Sequence, residues 1–205
     1  MVFRDRRDAA RRLATRLSPY RGQRPLVLAI PRGAVPMAHA LATVLQGDLD
    51  VVLVRKLGAP HEPEFAIGAI DESGWTYLSP HAQAAGTAYV EAEKQRQLAL
   101  IRRRRAQYTP LRPPLDPAGR IVIVVDDGLA TGATMLAALH SLRQRQPARL
   151  ICAVPVASQE ALARVRGQAD EVVCLQAPAG FQAVGQFYLD FTQVEDDEVI
   201  ALLKP

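Results

Sequence analysis

The chain has 205 residues, of which 49% are hydrophobic, which is enough for one sizeable α/β domain and too many for a globally disordered chain. No apolar run approaches the length of a membrane span, and the charged first residues lack the hydrophobic core of an export signal, so we expect a cytoplasmic protein. The formal net charge of +4 favours anionic partners, such as a phosphorylated small molecule or nucleic acid.

The first quarter of the chain predicts a helix followed by a strand–helix–strand unit. Apolar residues on one helical face predict a short amphipathic helix at residues 9–17. A strand at 25–30, a helix at 35–45 and a second strand at 50–54 follow. Because both strands are apolar on both faces, we expect a parallel sheet that is covered on two sides.

The middle of the chain has a different composition. Residues 57–64 are rich in Gly, Pro, His and Glu, which indicates a loop. The segments FAIGAI and WTYL flank DESG and predict a β-hairpin. A long basic helix is expected at 87–108, with Leu98, Ile101 and Tyr108 as its narrow apolar stripe.

The second half of the chain resumes the alternation of strands and helices. Strands are predicted at 121–125, 150–156 and 171–175, and helices at 132–144, 159–165 and 196–203. The segment 181–191 is aromatic and irregular. The fold class that follows is α/β, with a doubly wound and mostly parallel sheet.

The stretch IVIVVDDGLATGATM, residues 121–135, ends a buried strand on two adjacent acids. Open parallel sheets bind their ligands beyond the carboxyl ends of the strands, which is where Asp126 and Asp127 stand. Two neighbouring carboxylates stay ionised only where a cation or hydrogen-bond donors hold them. Mg²⁺ and a pair of neighbouring sugar hydroxyls both meet that requirement.

The loop after the acids consists of small and hydroxyl residues and opens the next helix. Its free backbone N–H groups and the positive end of the helix dipole would face the same crevice, as in a phosphate cradle. Thr131 and Thr134 add hydroxyl donors. Carboxylates that could bind ribose hydroxyls are followed, a few residues later, by backbone N–H groups that could bind a phosphate. This spacing suits a ribose 5-phosphate as the ligand. An ordinary capped strand end is the alternative, whereas the absence of GxxxxGK(S/T) removes P-loop ATPases.

The same stretch resembles the signature of type I phosphoribosyltransferases, which use 5-phosphoribosyl 1-diphosphate (PRPP) as donor. The resemblance implies that Asp126 and Asp127 bind the ribose 2′- and 3′-hydroxyls. It also implies that they contact Mg²⁺ mostly indirectly, through those hydroxyls or water. The residues that would wrap the 5-phosphate are Ala130, Thr131, Gly132, Ala133 and Thr134.

Two further stretches match anion-binding loops of that family. In the family a short loop after the first core strand binds pyrophosphate through backbone amides, and the matching residues are Arg32, Gly33 and Ala34. Arg55 and Lys56 match the basic pair of the mobile lid, and their charges would neutralise the departing pyrophosphate. The lid would be residues 57–64, which would close over the site and exclude water.

The C-terminal stretch FQAVGQFYLDF loosely resembles the hood of the purine-salvage members, in which an aromatic side chain stacks on the base. Phe181 and Val184 are the candidates for that face, and plain packing among the aromatic residues is the alternative. The resemblance implies one phosphoribosyltransferase domain over residues 1–205. Its parts would be a core at about 22–56 and 119–176, an insertion at about 57–118 and a hood at about 177–205.

One position departs from part of the family. Members that act on hypoxanthine or guanine usually carry an aspartate where this chain has Ala130. The loop DDGLATGAT is more similar to the adenine-type version, although the hood does not match that group. The chain as a whole resembles an uncharacterised branch of predicted phosphoribosyltransferases, so the acceptor is left open.

The resemblance implies a pentosyl-transferring glycosyltransferase of nucleotide salvage. With Mg²⁺ it would move the 5-phosphoribosyl group from PRPP to a nitrogenous base or amine and release pyrophosphate. The catalytic group would be Asp126, Asp127, Arg55 and Lys56. The partners would be small molecules, with no membrane, and a homodimer is expected by family analogy.

Two other functions stay open. A non-catalytic PRPP-sensing regulator or RNA-binding protein would use the basic helix that contains RRRR at 102–105. No aromatic side chain interleaves those arginines, which favours a solvated face or a dimer contact over nucleic acid. A hydrolase or phosphorylase would use water or phosphate as the acceptor.

Overall fold

The computed structural model describes residues 2–62, 65–110 and 113–204. The helices are α1 (Arg6–Arg16), α2 (Val35–Leu45), α3 (Ala82–Ala85), α4 (Thr87–Tyr108), α5 (Ala133–Gln144), α6 (Gln159–Arg166) and α7 (Asp196–Leu203). The strands are β1 (Leu26–Ala29), β2 (Asp48–Val51), β3 (Val54–Gly58), β4 (Ala66–Asp71), β5 (Thr76–Leu78), β6 (Ile121–Val125), β7 (Arg149–Val156) and β8 (Glu171–Gln176). Short 3₁₀ turns lie at Ser18–Tyr20 and Val184–Phe187.

The central sheet has five parallel strands in the order β2-β1-β6-β7-β8. Alternate residues of β1 face opposite layers, as the period of a strand requires. Val27 and Ala29 pack with residues of α1, α2 and α7, whereas Leu26 and Leu28 pack with α5 and α6. Both faces are therefore covered by helices, which confirms the predicted α/β class with a doubly wound parallel sheet.

The strand order reverses between β1 and β6. From β1 the chain crosses to β2 on one side, and from β6 it crosses to β7 on the other. Such a switch point opens a crevice beyond the carboxyl ends of the two strands, where doubly wound sheets bind ligands. The turn after β1 and the acid pair after β6 both meet this crevice.

A second, antiparallel sheet in the order β3-β4-β5 carries the predicted hairpin. Its turn is held by Asp71, whose side chain accepts hydrogen bonds from the backbone N–H groups of Ser73 (2.8 Å) and Trp75 (3.0 Å). The other carboxylate oxygen of Asp71 accepts from the Ser141 hydroxyl of α5. The hairpin sheet is therefore fixed against the helix that follows the acid pair.

The predicted strand at 50–54 is wrong in its bounds. The strand of the main sheet is β2, which begins at Asp48 and ends at Val51, and the chain leaves this sheet before Val54. Asp48 can begin the strand because its backbone N–H donates to the Pro25 carbonyl (2.9 Å) and its carboxylate pairs with Arg120 (2.6 Å). Val54 then pairs with Asp71 in the second sheet.

The remaining predicted helices and strands lie close to those observed, whereas the loop predicted at 57–64 is wrong at its start, because Leu57 and Gly58 pair with β4 as part of β3. The predicted helix at 9–17 begins earlier, at Arg6, because the Asp5 side chain caps it by accepting from the backbone N–H of Asp8 (2.7 Å). Within the described part of the chain, none of the helices combines the length and the apolar composition that crossing a membrane would need.

Candidate active site

The acid pair directly follows β6 and is half-buried. Oδ2 of Asp127 accepts two hydrogen bonds from the Arg6 guanidinium, from Nε at 3.0 Å and from Nη2 at 2.9 Å. Arg6 is itself held, because its guanidinium carbon lies 4.0 Å from the centroid of the Phe191 ring and its Nη1 donates to the Thr192 carbonyl (2.7 Å). One oxygen of Asp127 is thus engaged inside the protein, and no donor among the described residues contacts the other.

Burial governs the charge state of the pair. Burial first, and then the negative charge of Asp127, raises the pKa of Asp126 well above its ordinary value. Burial also raises the pKa of Asp127, and the Arg6 guanidinium opposes that rise. A ligand that brings hydroxyl donors or a cation to Asp126 would stabilise the ionised pair.

The turn after β1 presents backbone donors beside the acids. The peptide bond between Pro31 and Arg32 is cis. Among the described residues, no acceptor is recorded for the backbone N–H groups of Arg32, Gly33 and Ala34. A Cβ at Gly33 would lie 2.1 Å from Oδ2 of Asp127, so only glycine lets the turn approach the carboxylate this closely.

The three residues of this turn differ in exposure. The Arg32 side chain points to the start of α7, where its Nη1 lies 3.4 Å from Oε2 of Glu195. Ala34 is completely buried in the core, so the structure does not bring its side chain to the crevice. A pyrophosphate-binding role of the turn stays a prediction, and it would be carried by backbone groups.

The loop between the acids and α5 exposes Ala130 and Thr131 and also carries free donors. No described acceptor is recorded for the backbone N–H groups of Thr131, Gly132 and Thr134. Gly132 stands at the helix start in the left-handed region (φ +74°), where no side chain caps α5. The N-terminus of a twelve-residue helix is therefore open toward the crevice, as phosphate binding requires.

Ser158 braces this loop from behind. Its hydroxyl donates to the Ala130 carbonyl (2.8 Å) and accepts from the backbone N–H of Ala161 at the start of α6 (3.0 Å). Ala130 itself is exposed, as is Ala133. The loop is thus positioned by contacts on the side away from the crevice.

Arg55 and Lys56 lie on β3 with exposed side chains. They line a cleft of about 440 Å³ together with Thr131, Ala133 and Thr134. The predicted basic pair and the predicted phosphate loop therefore face a common cavity. Part of the predicted lid, residues 63–64, lies outside the described residues.

Of the two predicted base-contacting residues of the hood, Val184 lies beside the acid pair and Phe181 packs within the hood. A Cβ at Gly128 would lie 2.6 Å from Cγ1 of Val184, so the hood packs directly on the residue after the acid pair. Phe181 stacks on Phe187, with ring centroids 5.5 Å apart. Stacking of either residue on a base stays a prediction.

Several residues of the site had no role in the sequence predictions. Tyr188 donates its hydroxyl to the main-chain carbonyl of Asp127 (2.7 Å), and Arg6 and Ser158 act as described above. Their partners lie 61, 121 and 28 positions away in the chain. No local pattern indicates such contacts.

The donor set is suited to a metal that arrives with its substrate. Within the described residues, no group of three or more His, Cys, Asp or Glu side chains could hold an ion. Mg²⁺ commonly uses one or two carboxylates together with substrate phosphates and water. Asp126 and Asp127 fit that pattern, and they would contact the ion directly or through bound hydroxyls.

Comparison with known proteins agrees with this geometry. The phosphoribosyl transferase domain family matches residues 4–192. Rv0571c and MT0597, from Mycobacterium tuberculosis strains H37Rv (ATCC 25618) and CDC 1551 / Oshkosh, are provisionally named phosphoribosyl transferases. Each is 45% identical over 208 residues, which cover 98% of this chain and 46% of the relative. The chain therefore spans about half the length of these curated relatives.

A solved structure is similar over almost the whole chain. The crystal structure of TT1426 from Thermus thermophilus matches with a TM-score of 0.89 and 49% sequence identity, covering 99% of this chain and 98% of that one. Together with the family match over residues 4–192, these likenesses identify the chain as a member of the phosphoribosyl transferase domain family.

Proposed function

We propose that the protein transfers the 5-phosphoribosyl group of PRPP to a nitrogenous base or amine and releases pyrophosphate. The observation that carries the proposal is the convergence of three loops on one crevice. The turn after β1 lies against Asp127 at the switch point, the open N-terminus of α5 follows the acid pair, and the basic pair of β3 shares a cleft with that N-terminus.

Each part of the crevice fits one part of PRPP. Asp126 and Asp127 would accept hydrogen bonds from the ribose hydroxyls, and the free amides of Thr131, Gly132 and Thr134 would hold the 5-phosphate. The backbone of Arg32 and Gly33, together with Arg55 and Lys56, would hold the diphosphate. Mg²⁺ would bind through the acid pair and the diphosphate, and it would supply positive charge to the leaving group.

In the reaction a nitrogen of the acceptor forms a bond to C1′ as the bond from C1′ to the diphosphate oxygen breaks, and the acceptor loses a proton. The protein contributes to the rate mainly by positioning the reactants and by stabilising the charges that develop on them. Carboxylates lie near the ring that becomes positive, and cationic side chains and amides lie near the leaving group. Holding the reactants in place can be worth roughly 7–11 kcal/mol of the barrier.

Calorimetry with PRPP and Mg²⁺ tests donor binding. We expect the native protein to bind and the Asp126→Asn/Asp127→Asn variant to bind at least tenfold more weakly, because it loses charge-assisted hydrogen bonds of about 1.5–3 kcal/mol each. Glu160→Gln, at an exposed position of α6, is the matched control and should bind like the native protein. Equal binding by the double variant would refute the proposal.

A screen of bases and amines for Mg²⁺-dependent release of pyrophosphate tests turnover. Release that depends strictly on an added nitrogenous acceptor supports the transferase. Release in buffer alone or with phosphate would indicate the hydrolase or phosphorylase. Binding of PRPP without release by any acceptor would favour the sensing regulator.

The finer parts of the proposal follow family analogy. They are a role in nucleotide salvage, a cytoplasmic location, a homodimer, and the division into core, insertion and hood at the bounds given above. Light scattering on the purified protein measures the oligomeric state, and a mass of one chain would refute the dimer.

A further inference from the structure

The four arginines at 102–105 do not form one surface. Arg105 lies near Asp50 and Glu72, with its Nη1 2.8 Å from Oδ1 of Asp50 and its Nη2 2.8 Å from Oε1 of Glu72. This side chain is 12% exposed, and its charge is neutralised inside the protein. Arg103 and Arg104 face elsewhere, because successive residues of a helix are rotated by about 100°.

Arg103 and Arg104 line a cavity of about 320 Å³ together with Arg55 of β3. Gln107 and Asp196 complete its polar wall. Arg55 donates through Nε to the amide oxygen of Gln97 (2.5 Å), which orients it along α4. Side chains from the second sheet and from α4 thus converge on one concave surface.

The charges in this cavity are unbalanced. Within the described residues, none of the three arginines forms an ion pair with a carboxylate. Asp196, the described acid among the lining residues, already accepts a hydrogen bond from the Tyr108 hydroxyl (2.7 Å) and lies 3.9 Å from Nη1 of Arg32. Three guanidinium groups therefore face a cavity in which the one carboxylate is engaged elsewhere.

The cavity continues into the crevice of the candidate active site. Arg55 and Arg104 also line a small space of about 80 Å³, whose other walls include Pro31 of the turn after β1 and Thr134 of α5. Arg55 lines the large cleft beside the phosphate loop as well. A chain of cavities that share Arg55 thus runs from α4 to the N-terminus of α5.

We propose that Arg55, Arg103 and Arg104 form an anion pocket that binds a phosphate or diphosphate group. Guanidinium groups suit this ligand, because their N–H donors match phosphate oxygens in pairs. The bound group is either the pyrophosphate of the proposed reaction or the diphosphate of a second phosphorylated molecule. The first identification rests on the proposed function. The pocket itself rests on the arginines alone.

Calorimetric titration with inorganic pyrophosphate at low, fixed salt tests the pocket. Arg103→Ala/Arg104→Ala should bind at least tenfold more weakly than the native protein, and Arg103→Lys/Arg104→Lys should recover part of the affinity. Arg102→Ala is the matched control, since Arg102 is exposed on the same helix and does not line the cavity, and its affinity should change less than twofold. Equal affinity of all four proteins would overturn the proposal.

A competition titration with pyrophosphate and PRPP distinguishes the leaving pyrophosphate from the diphosphate of a second molecule. It also tests the arginine pocket separately from the proposed function. If PRPP with Mg²⁺ displaces pyrophosphate, the pocket serves the leaving group; if pyrophosphate still binds to the PRPP-saturated protein, it serves a second molecule. Arginine-dependent binding of pyrophosphate without any binding of PRPP would leave the pocket standing and refute the proposed function. If PRPP binds but the arginine variants bind pyrophosphate as tightly as the native protein, the pocket is refuted and the proposed function stands.

Discussion

The carboxylate of Asp127 is oriented by a residue that lies far from it in the chain. Arg6 approaches Oδ2 with two N–H groups, and the Cα of Gly33 closes the space on the same side. These contacts hold the carboxylate of Asp127 in one orientation. Its other oxygen is presented in one direction, which is the kind of preorganisation that a sugar-binding acid needs. We regard Arg6 as a positioning residue of the candidate site.

Arg6→Ala should weaken both the fold and the site. It removes two hydrogen bonds to a charged group, and it leaves Asp127 half-buried without its counter-ion. We expect the free energy of unfolding to fall by about 1.5–3 kcal/mol, measured by urea denaturation, and the affinity for PRPP to fall as well. Arg6→Lys should recover only part of both, because an ammonium cannot reproduce the paired contact.

Arg7→Ala is the control for Arg6, because Arg7 is exposed on the next position of α1. It should change the free energy of unfolding by less than about 0.5 kcal/mol. If Arg6→Ala lost stability but bound PRPP with native affinity, Arg6 would be a structural residue only.

At the residue scale the sequence predicts chemistry better than it predicts contacts. The acids, the small loop and the glycine after β1 were recognisable because their types and spacing carry the chemistry. Arg6 was not, since it is one of five arginines in RDRRDAARR and nothing local distinguishes it from the others. Its role depends on a partner 121 positions away.

At the scale of elements, α4 is a basic helix with a structural anchor. Arg105 connects the helix to the main sheet by donating to the carboxylate of Asp50 and, through Nη2, to the Val51 carbonyl (2.9 Å). It also holds Glu72 in the hairpin turn. One side chain thus connects the central sheet, the second sheet and α4.

Arg105→Ala should destabilise the protein strongly. Asp50 is 1% exposed, and its buried charge would lose the guanidinium that neutralises it. Removing one member of such a pair costs about 3–5 kcal/mol. Arg102→Ala, at an exposed position of the same helix, should cost less than about 0.5 kcal/mol. Urea denaturation of both variants compares them, and similar losses would contradict the assigned anchor.

The bounds of elements were predictable where apolar periodicity is uninterrupted. The predictions for α2, α4, β6 and α7 coincide with the observed elements. The bounds of β2 were missed at both ends: Asp48 looks like a loop residue, and the apolar run that follows Asp50 hides the point at which the chain leaves the sheet after Val51. The carboxylates of Asp48 and Asp50 are tolerated in a strand only because Arg120 and Arg105 neutralise them, and these partners lie 72 and 55 positions away.

At the scale of the whole molecule, the strand order places the site. Long apolar strands predict a parallel sheet, and the switch point follows from the order in which the strands pair. The sheet class was therefore predictable, since the three central strands β1, β6 and β7 are apolar on both faces. The contact of α4 with the crevice was not, because it depends on how the insertion packs against α5 and α7.

The packing of α4 on α7 should make stability depend on alkaline pH. Tyr108 donates its hydroxyl to Asp196, and burial together with this hydrogen bond raises its pKa to about 12. The folded protein therefore holds the phenolic proton more tightly than the unfolded chain. The protonated Tyr108 therefore contributes to the free energy of unfolding. This contribution is fully present below about pH 10, the ordinary pKa of tyrosine, and is lost as the pH rises through about 12.

Urea denaturation at about pH 8, 10 and 12 checks this dependence. Tyr108→Phe should lower the free energy of unfolding at pH 8 by about 1 kcal/mol, from the lost hydrogen bond, and should flatten the decline above pH 10. Tyr77→Phe is the control, because the Tyr77 side chain is exposed on the hairpin. An unchanged decline in Tyr108→Phe would show that other groups cause it. Tyr20, whose pKa is also raised to about 12, should leave a residual slope.

The pairing of Phe3 with the segment around Tyr188 bears on the order in which the site is assembled. The Phe3 N–H donates to the Phe187 carbonyl (2.8 Å), and the Leu189 N–H donates to the Phe3 carbonyl (2.9 Å). Arg6 and Phe191 each follow this parallel pairing by three positions, and the Arg6 guanidinium, which contacts Asp127, lies over the Phe191 ring. Contacts between such distant positions form late, because a long loop must close first. During synthesis on the ribosome, the acid pair therefore emerges midway but acquires its surroundings only after residue 191 has followed.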